Sequence, residues 1–141
     1  EHKHRSHLCH NNSKKFESVF LGLTIPQNPS VMLHSLSGSK LGIWVAHGEG
    51  RFYLPEPEDH YNVVAKYNYA EYPGNPNGSD YNVAGICSKD GRHLAMMPHP
   101  ERAIFPWQNA YYPRNRKQDE VTPWIEAFVN ARKWIEEKTN N

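Results

Sequence analysis

Two residues with acid–base side chains, His99 and Glu101, lie two positions apart in the segment Met97-Pro98-His99-Pro100-Glu101-Arg102. Pro100 favours an extended conformation for the residue before it, and in an extended chain residues i and i+2 project to the same side. Glu101 can then bind one ring nitrogen of His99, fix its tautomer and leave the other nitrogen free for proton transfer. The segment therefore predicts the base and the orienting acid of a nucleophilic triad.

The nucleophile for this pair has to be sought among two cysteines, Cys9 and Cys87. An activated thiol usually lies on a Gly-rich turn, where backbone N–H groups and a helix dipole favour the thiolate. Cys9 has no glycine nearby, and Cys87 precedes a turn at Lys89-Asp90-Gly91. A hairpin centred there pairs Cys87 with residues near Leu94 and not with His99. We predict that neither cysteine is the nucleophile; an unrelated Cys/His hydrolase that uses Cys87 remains an alternative.

The length and charge of the chain set the class of protein. Its 141 residues are enough for one core, and its net charge is +1 at pH 7. Such a balance argues against nucleic acid as a partner, and the lack of an apolar run of roughly 18 residues argues against a membrane. Two cysteines and no signal-like start fit a reducing, cytoplasmic compartment. Because the chain opens on Glu1 without methionine, we expect residues 1–141 to be a single partial domain of a longer polypeptide.

The elements that must position these residues are mostly predicted strands, with residues 1–15 as an irregular lead-in. Alternating or β-branched sequence predicts strands over Phe16–Ile25, the two halves of Leu41–Leu54, Asn62–Tyr69, and a hairpin of Val83–Ser88 with His93–Met97. A short helix is predicted over Val31–Leu36, and Tyr72–Ser79 is predicted to be a loop.

One longer helix is predicted at the C-terminal end. Thr122 and Pro123 provide an N-cap and a proline at the first helical position. An apolar stripe then follows at helical spacing, formed by Trp124, Phe128, Ala131 and Ile135.

The N-terminal histidines suggest a possible metal site. His4, His7 and His10 recur every three residues, with Cys9 among them. A helix would place the imidazoles on one face, and imidazole with thiolate suits zinc. The following Asn11-Asn12-Ser13 disfavours such a helix. We therefore predict no metal ligand in this chain.

Several motifs, taken in their order along the chain, resemble one known family. They are Ala46-His47-Gly48-Glu49-Gly50, then Asn75-Pro76-Asn77-Gly78-Ser79 with Ala84-Gly85-Ile86, then Met97–Arg102, preceded by Asn11-x-Ser13-x-x-Phe16-Glu17 and followed by Pro106-Trp107-Gln108 and Thr122-Pro123-Trp124. Together they resemble the glutaminase domain of large-type phosphoribosylformylglycinamidine synthase, a class I glutamine amidotransferase. The resemblance covers nearly the whole chain. Val19 departs from it, since the family commonly has arginine there.

The resemblance implies a fold and a set of site residues. The fold would be α/β: the C-terminal portion of a flavodoxin-like, class I glutamine amidotransferase domain, here mostly β-strands and hairpins with a C-terminal helix. His99 would be the catalytic histidine and Glu101 its partner, while the cysteine nucleophile would lie upstream of Glu1. Further residues are expected to line the glutamine pocket or a domain interface: Phe16, Glu17, His47, Gly48, Glu49, Asn75, Asn77 and Ser79.

The activity that the resemblance implies is hydrolysis of glutamine to supply ammonia. A synthetase domain of the same polypeptide would use that ammonia to convert formylglycinamide ribonucleotide to formylglycinamidine ribonucleotide in purine biosynthesis. ATP and Mg²⁺ would belong to the synthetase domain, and this chain would hold no cofactor. Without its nucleophile the chain alone is expected to be inactive. The alternative is a non-catalytic docking module of the same multidomain enzyme.

Overall fold

The computed structural model describes residues 5–140, which contain seven β-strands and one α-helix. The elements are β1 (His7–Cys9), β2 (Glu17–Thr24), β3 (Lys40–His47), β4 (Arg51–Tyr53), β5 (Asn62–Tyr67), β6 (Val83–Cys87), β7 (Leu94–Met96) and α1 (Ile125–Thr139). Short 3-10 turns occupy several of the connections. Mostly β-structure with a C-terminal helix is what the sequence predicts.

Five of the strands form one antiparallel sheet in the order β3-β2-β5-β6-β7. The longest pairing joins β2 to β3 and runs from Glu17 opposite His47 to Thr24 opposite Lys40. Alternate residues of these strands face the core; among them Leu23, Ile43 and Val45 are fully buried. The ends of β2 and β3 therefore hold Glu17 and His47 on the core face.

The predicted strands are confirmed, and the N-terminal prediction is wrong. Residues 7–9 form β1, which pairs with β4 so that Leu8 lies opposite Phe52. Leu41–Leu54 does contain two strands, but β4 pairs with β1 in a separate two-stranded sheet instead of folding back on β3. The pairing is non-local. Because β1 lies far from β4 in the sequence, no local sequence pattern predicts that the two strands pair.

The helix predictions are confirmed in part. The predicted helix over Val31–Leu36 is only a 3-10 turn at His34–Leu36, closed by Gly38 with φ of +85°. A segment this short gains too few hydrogen bonds to nucleate an α-helix. Near the C-terminal end of the chain, α1 begins at Ile125 and not at the predicted Pro123. The carbonyls of Thr122 and Pro123 accept the N–H groups of Ile125 and Glu126, three residues further on, so the residues before α1 form a tighter turn.

The helix α1 packs on the sheet through its first half. Trp124, just before it, is buried, and its indole N–H donates to the carbonyl of Gly42 in β3 at 2.8 Å. Ala127 is buried, and Asn130 donates from Nδ2 to the carbonyl of Met32 at 3.0 Å. The predicted apolar stripe does not continue, since Ile135 is 55% exposed. Within residues 5–140, neither α1 nor the short 3-10 turns have the length and apolar sequence that a membrane-spanning helix needs.

We expect Trp124→Phe to lower the free energy of unfolding by about 2–3 kcal/mol, because it removes buried volume and leaves the Gly42 carbonyl without its donor. Trp107→Phe is the matched control: Trp107 is 80% exposed, so its loss should change stability by at most about 0.5 kcal/mol. Urea unfolding followed by circular dichroism measures both. Equal effects of the two substitutions would contradict the packing of α1 described above.

Candidate active site

The contact predicted between His99 and Glu101 is present. Nδ1 of His99 lies 2.6 Å from Oε1 of Glu101. His99 is extended, with φ −106° and ψ 90°, but Glu101 lies in a 3-10 turn over Pro100–Arg102. The carboxylate therefore reaches the imidazole because the backbone turns after His99. The predicted arrangement, in which residues i and i+2 of an extended chain project to the same side, is not the one that forms. A donating Nδ1–H leaves Nε2 as the free, basic nitrogen.

Backbone bonds fix this turn against the sheet. The N–H of His99 donates to the carbonyl of Trp44 in β3 at 2.9 Å, which makes an isolated bridge to that strand. Ala103, at the end of the turn, is buried, and its carbonyl accepts the Thr122 hydroxyl at 2.5 Å. The imidazole thus projects from a segment held at both ends, as a preorganised acid–base group requires.

The pair is open to solvent. The side chain of His99 is 26% exposed and that of Glu101 is 52% exposed. The guanidinium of Arg102 lies nearby, with Nε 3.9 Å from Oε1 of Glu101. A cleft of about 350 Å³ lies beside the turn; Trp44, Arg102 and Trp107 are among its lining residues. Space for a small molecule therefore exists next to the turn that holds His99.

Neither cysteine is placed to serve His99. Cys87 lies opposite Leu94 in the β6–β7 hairpin, as predicted, whereas the chain that leads to His99 passes the other end of β6, where Met97 donates to the Ala84 carbonyl. Burial, with Asp90 as a smaller cause, raises the pKa of the Cys87 thiol, which disfavours the thiolate. Cys9 belongs to the separate β1–β4 sheet.

Residues 48–50 form a loop directly after His47, the last residue of β3, and two buried asparagines hold the backbone of residues 47–50. Asn11 donates from Nδ2 to the carbonyl of His47 at 2.8 Å and accepts the N–H of Gly50 at 3.2 Å. Asn77 donates from Nδ2 to the carbonyl of Gly50 at 2.7 Å. Gly50 leaves room for the imidazole of His47, since a Cβ on it would lie 2.3 Å from that ring. Gly48 has open space instead, so no steric constraint requires a glycine there.

His47 and Glu17 are buried together at the ends of β3 and β2. Each is only 7% exposed, and the two are directly opposite in the strand register. Burial lowers the pKa of His47 below the ordinary 6.5, and the nearby His99 lowers this pKa further, while a contact of the ring with its own backbone and, less strongly, the carboxyl of Glu17 raise it. His47 is therefore the buried histidine of the site, and burial favours its neutral form, whereas His99 is the accessible one.

Two other predicted site residues are on the surface. The carboxylate of Glu49 is 69% exposed, and its Oε1 lies 3.3 Å from Nδ1 of His10. Phe16 is 65% exposed beside the same loop. Both are accessible to a ligand or a neighbouring domain, and their role stays a prediction.

The remaining predicted site residues, Asn75, Asn77 and Ser79, lie inside the protein. All three are buried, and Asn77 and Ser79 bond to each other, Nδ2 of Asn77 also reaching the Tyr67 hydroxyl at 3.1 Å. Ser79 Oγ accepts the N–H of Phe52 at 3.0 Å. The structure thus gives these side chains a part in holding the loop, and direct contact with a ligand stays a prediction.

Two residues that position the site were not predicted to do so. Trp44 supplies the carbonyl that binds His99, and Asn11 is 1% exposed and bonds to the His47 loop. Nothing in the sequence indicates that the backbone carbonyl of Trp44 accepts the N–H of His99. Asn11 carried a weaker signal, since it begins the motif before β2 and an asparagine in a polar run is usually exposed.

The metal prediction concerns the N-terminal histidines. His4 lies outside the described residues, and His7 and Cys9 belong to strand β1, so the helix on which a zinc site would depend does not form. Within residues 5–140 no group of three or more His, Cys, Asp or Glu side chains could hold a metal ion.

Comparison with known proteins defines the family to which this chain belongs. A family model of the CobB/CobQ-like glutamine amidotransferase domain matches residues 1–135, and the chain belongs to this family. In the solved structure of PurLQS from Thermotoga maritima, a match with TM-score 0.69 and 26% identity covers 93% of this chain and 53% of that chain. The resemblance and the fold class that the motifs indicate are confirmed.

Curated relatives give the more particular likeness. The chain is 45% identical over 143 residues to the Arabidopsis thaliana protein named "Probable phosphoribosylformylglycinamidine synthase, chloroplastic/mitochondrial", covering 92% of this chain and 10% of the relative. It is 42% identical over 139 residues to the human phosphoribosylformylglycinamidine synthase, covering 90% of this chain and 10% of the relative. The chain thus spans about a tenth of the length of the curated relatives it matches.

We expect Gly50→Ala to destabilise the chain by about 1–3 kcal/mol, because the new methyl group would overlap the buried ring of His47. Gly48→Ala is the matched control in the same loop; its Cβ would meet open space, so a change within about 0.5 kcal/mol is expected. Thermal and urea unfolding measure both variants. If Gly50→Ala were as stable as Gly48→Ala, the packing of His47 against Gly50 would be wrong.

Proposed function

We propose that this chain is part of the glutaminase domain of a phosphoribosylformylglycinamidine synthase and supplies its general acid–base group. The observation that carries the proposal is the contact of 2.6 Å between His99 and Glu101 on a turn fixed to β3. Membership of the glutamine amidotransferase family and the likeness to curated synthases support it.

The chemistry of such a site is acyl transfer from the side-chain amide of glutamine. A cysteine thiol supplied by another part of the enzyme would lose its proton to Nε2 of His99 and attack the amide carbon. His99 would give that proton to the departing ammonia, leaving a thioester. Water, deprotonated by His99, would then hydrolyse the thioester to glutamate and restore the thiol. Glu101 would hold the ring in the tautomer that keeps Nε2 basic and would stabilise the imidazolium.

In the intact enzyme the ammonia would pass to a synthetase domain of the same polypeptide. There it would react with formylglycinamide ribonucleotide in an ATP-dependent step of purine biosynthesis, which makes the whole protein a ligase. By the same resemblance, ATP and Mg²⁺ would belong to the synthetase domain, and we propose that this chain holds no cofactor. Free thiols at Cys9 and Cys87 favour a reducing compartment, and we propose the cytoplasm.

A chimeric synthase tests the proposal. In this chimera the present chain replaces the matching segment of the human relative, and formation of the amidine product is measured with glutamine and, separately, with ammonium as nitrogen donor. We expect both reactions in the chimera. His99→Ala should lower the glutamine-dependent rate by about 10³-fold or more, since the base is lost. Glu101→Ala should also lower it, but by a smaller factor than His99→Ala, since the base remains and only its orientation is lost.

The ammonium-dependent rate is the internal control for folding, because it bypasses glutamine hydrolysis. It should be unchanged in both variants. Equal glutamine-dependent rates for the chimera and its His99→Ala variant would overturn the proposal and favour the docking-module alternative. A chimera that uses ammonium but not glutamine would also overturn it.

A further inference from the structure

A long connection with neither strand nor α-helix leads from the turn that holds His99 to α1. We call residues 105–121 the aromatic loop, because Phe105, Trp107 and Tyr111 on it are 41%, 80% and 71% exposed. Connections longer than about 12–15 residues are uncommon in compact domains and are usually functional when they are ordered. The aromatic loop therefore calls for a role beyond that of a connection.

Hydrogen bonds within the aromatic loop hold its exposed rings in place. The N–H of Phe105 donates to Oε1 of Gln108 at 2.9 Å, and the N–H of Gln108 donates to the carbonyl of Phe105 at 3.0 Å. The side-chain amide of Asn109 donates to the same carbonyl at 2.9 Å. The rings of Phe105 and Trp107 stack with an interplanar angle of 7° and centroids 5.9 Å apart. The exposure of Trp107 is thus built into an ordered turn.

The aromatic loop is also closed at its base. The N–H of Thr122 donates to the carbonyl of Ile104 at 2.6 Å, so the two ends of the loop meet. Within the loop, Oδ2 of Asp119 accepts the hydroxyl of Tyr112 at 2.5 Å and lies 2.8 Å from Nε of Arg116. Compact surface loops whose ends meet in this way are frequently functional.

Trp44 of β3 connects the aromatic loop to His99. The indole N–H of Trp44 donates to the carbonyl of Gln108 at 2.7 Å, and the carbonyl of Trp44 accepts the N–H of His99. Trp107 and Gln108 also line the cleft beside the turn that holds His99. A partner bound to the aromatic loop would therefore have a fixed position relative to His99.

The charge of this region favours an acidic partner. Residues 102–118 include four cationic residues and no acidic residue. Arg114 and Lys117 are exposed, and no ion pair engages either of them within residues 5–140. Glu120, near the end of the loop, is the exposed carboxylate. Exposed tryptophan, tyrosine and arginine side chains together form the composition typical of protein-binding hot spots.

Two other occupants fit this surface less well. A second copy of the chain, joined through the same loop, would bring Arg114 and Lys117 of both copies together, and like charges oppose that contact. A nucleic acid would suit the rings and the cations, but the net charge of +1 lacks the basic excess of nucleic-acid-binding proteins. An acidic protein surface agrees with both the charge and the exposed Trp107.

We propose that the aromatic loop docks against an acidic surface of the synthetase domain, with Trp107 as the central apolar contact and Arg114 and Lys117 as charged contacts around it. The inference rests on the proposed function, in which ammonia released at His99 has to reach that domain. The chain covers 10% of the curated relatives, so most of their sequence lies outside the matched segment. Docking at this loop would fix where ammonia leaves the glutaminase relative to the domain that uses it.

The test compares the chimeric synthase with the 141-residue chain alone. Hydroxyl-radical oxidation of Trp107, measured by mass spectrometry, should be at least about fivefold slower in the chimera, because a docked hot-spot aromatic is desolvated. Arg114→Glu combined with Lys117→Glu should restore fast oxidation in the chimera. Lys133→Glu combined with Lys138→Glu is the matched control: the same change of charge on exposed residues of α1 should leave Trp107 protected.

A kinetic measurement on the same chimeras identifies the domain that covers the loop. In the variant with Arg114→Glu and Lys117→Glu more ammonia should escape, so the ratio of glutamate to amidine formed from glutamine should rise at least about twofold as the charged contacts are lost. The rate of glutamate formation and the ammonium-dependent rate should stay the same, since neither residue belongs to the site of either reaction.

Equal oxidation of Trp107 in the chimera and in the chain alone would overturn the proposal. Protection of Trp107 that survives the charge reversal, or an unchanged ratio of glutamate to amidine, would also overturn it. A fall in glutamate formation in the charge-reversed variant would assign the loop to the remainder of the glutaminase domain instead. Binding of poly(dT) by the chain at physiological ionic strength, abolished by Arg114→Glu with Lys117→Glu, would assign it to nucleic acid.

Failure of this proposal is distinguishable from failure of the proposed function. The proposed function depends on the loss of the glutamine-dependent rate in His99→Ala. The docking proposal depends on the accessibility of Trp107, which is measured in a chimera whose folding the ammonium-dependent rate reports.

Discussion

The hydrogen bond from the backbone of His99 to the carbonyl of Trp44 is the constraint on which the site depends. His99 follows β7, at one end of the strand order, and Trp44 belongs to β3, at the other end. The bond of 2.9 Å forms only if the sheet curls until the chain after β7 meets β3. As a result the acid–base pair lies beside the strand that ends in His47. The position of His99 thus depends on the curvature of one sheet.

Local sequence patterns were enough to predict the parts of the site that are local. The contact of His99 with Glu101 spans two residues, and the pairing of Cys87 with Leu94 follows from one turn at Asp90-Gly91. The pairing of β1 with β4 and the bond of His99 to Trp44 were not predicted, because each joins segments far apart in the chain. Such contacts depend on which distant segments bury the most surface against each other, and this cannot be read from a single sequence.

Burial of polar residues was the other feature that the sequence concealed. The stretch from Tyr72 to Ser79 is rich in Pro, Gly and Asn, and such composition normally predicts an exposed loop. The loop is present, yet Asn77 is fully buried because its amide bonds to Gly50, Ser79 and the Tyr67 hydroxyl. Polar side chains can lie in the interior when they form hydrogen bonds with one another. Through the bond from Asn77 to the Gly50 carbonyl, this network also holds the loop that follows His47.

Which ring nitrogen of His99 carries the proton in the neutral state decides whether Glu101 orients the ring, and it can be measured directly. In this account Glu101 holds the proton on Nδ1, so that Nε2 is the free base. Long-range ¹H–¹⁵N correlation of the neutral ring distinguishes the two tautomers in the chain itself, without glutamine or a nucleophile. We predict an Nδ1-protonated ring in the wild-type chain and loss of that preference in Glu101→Ala. An Nε2-protonated His99 that is the same in both chains would contradict the account.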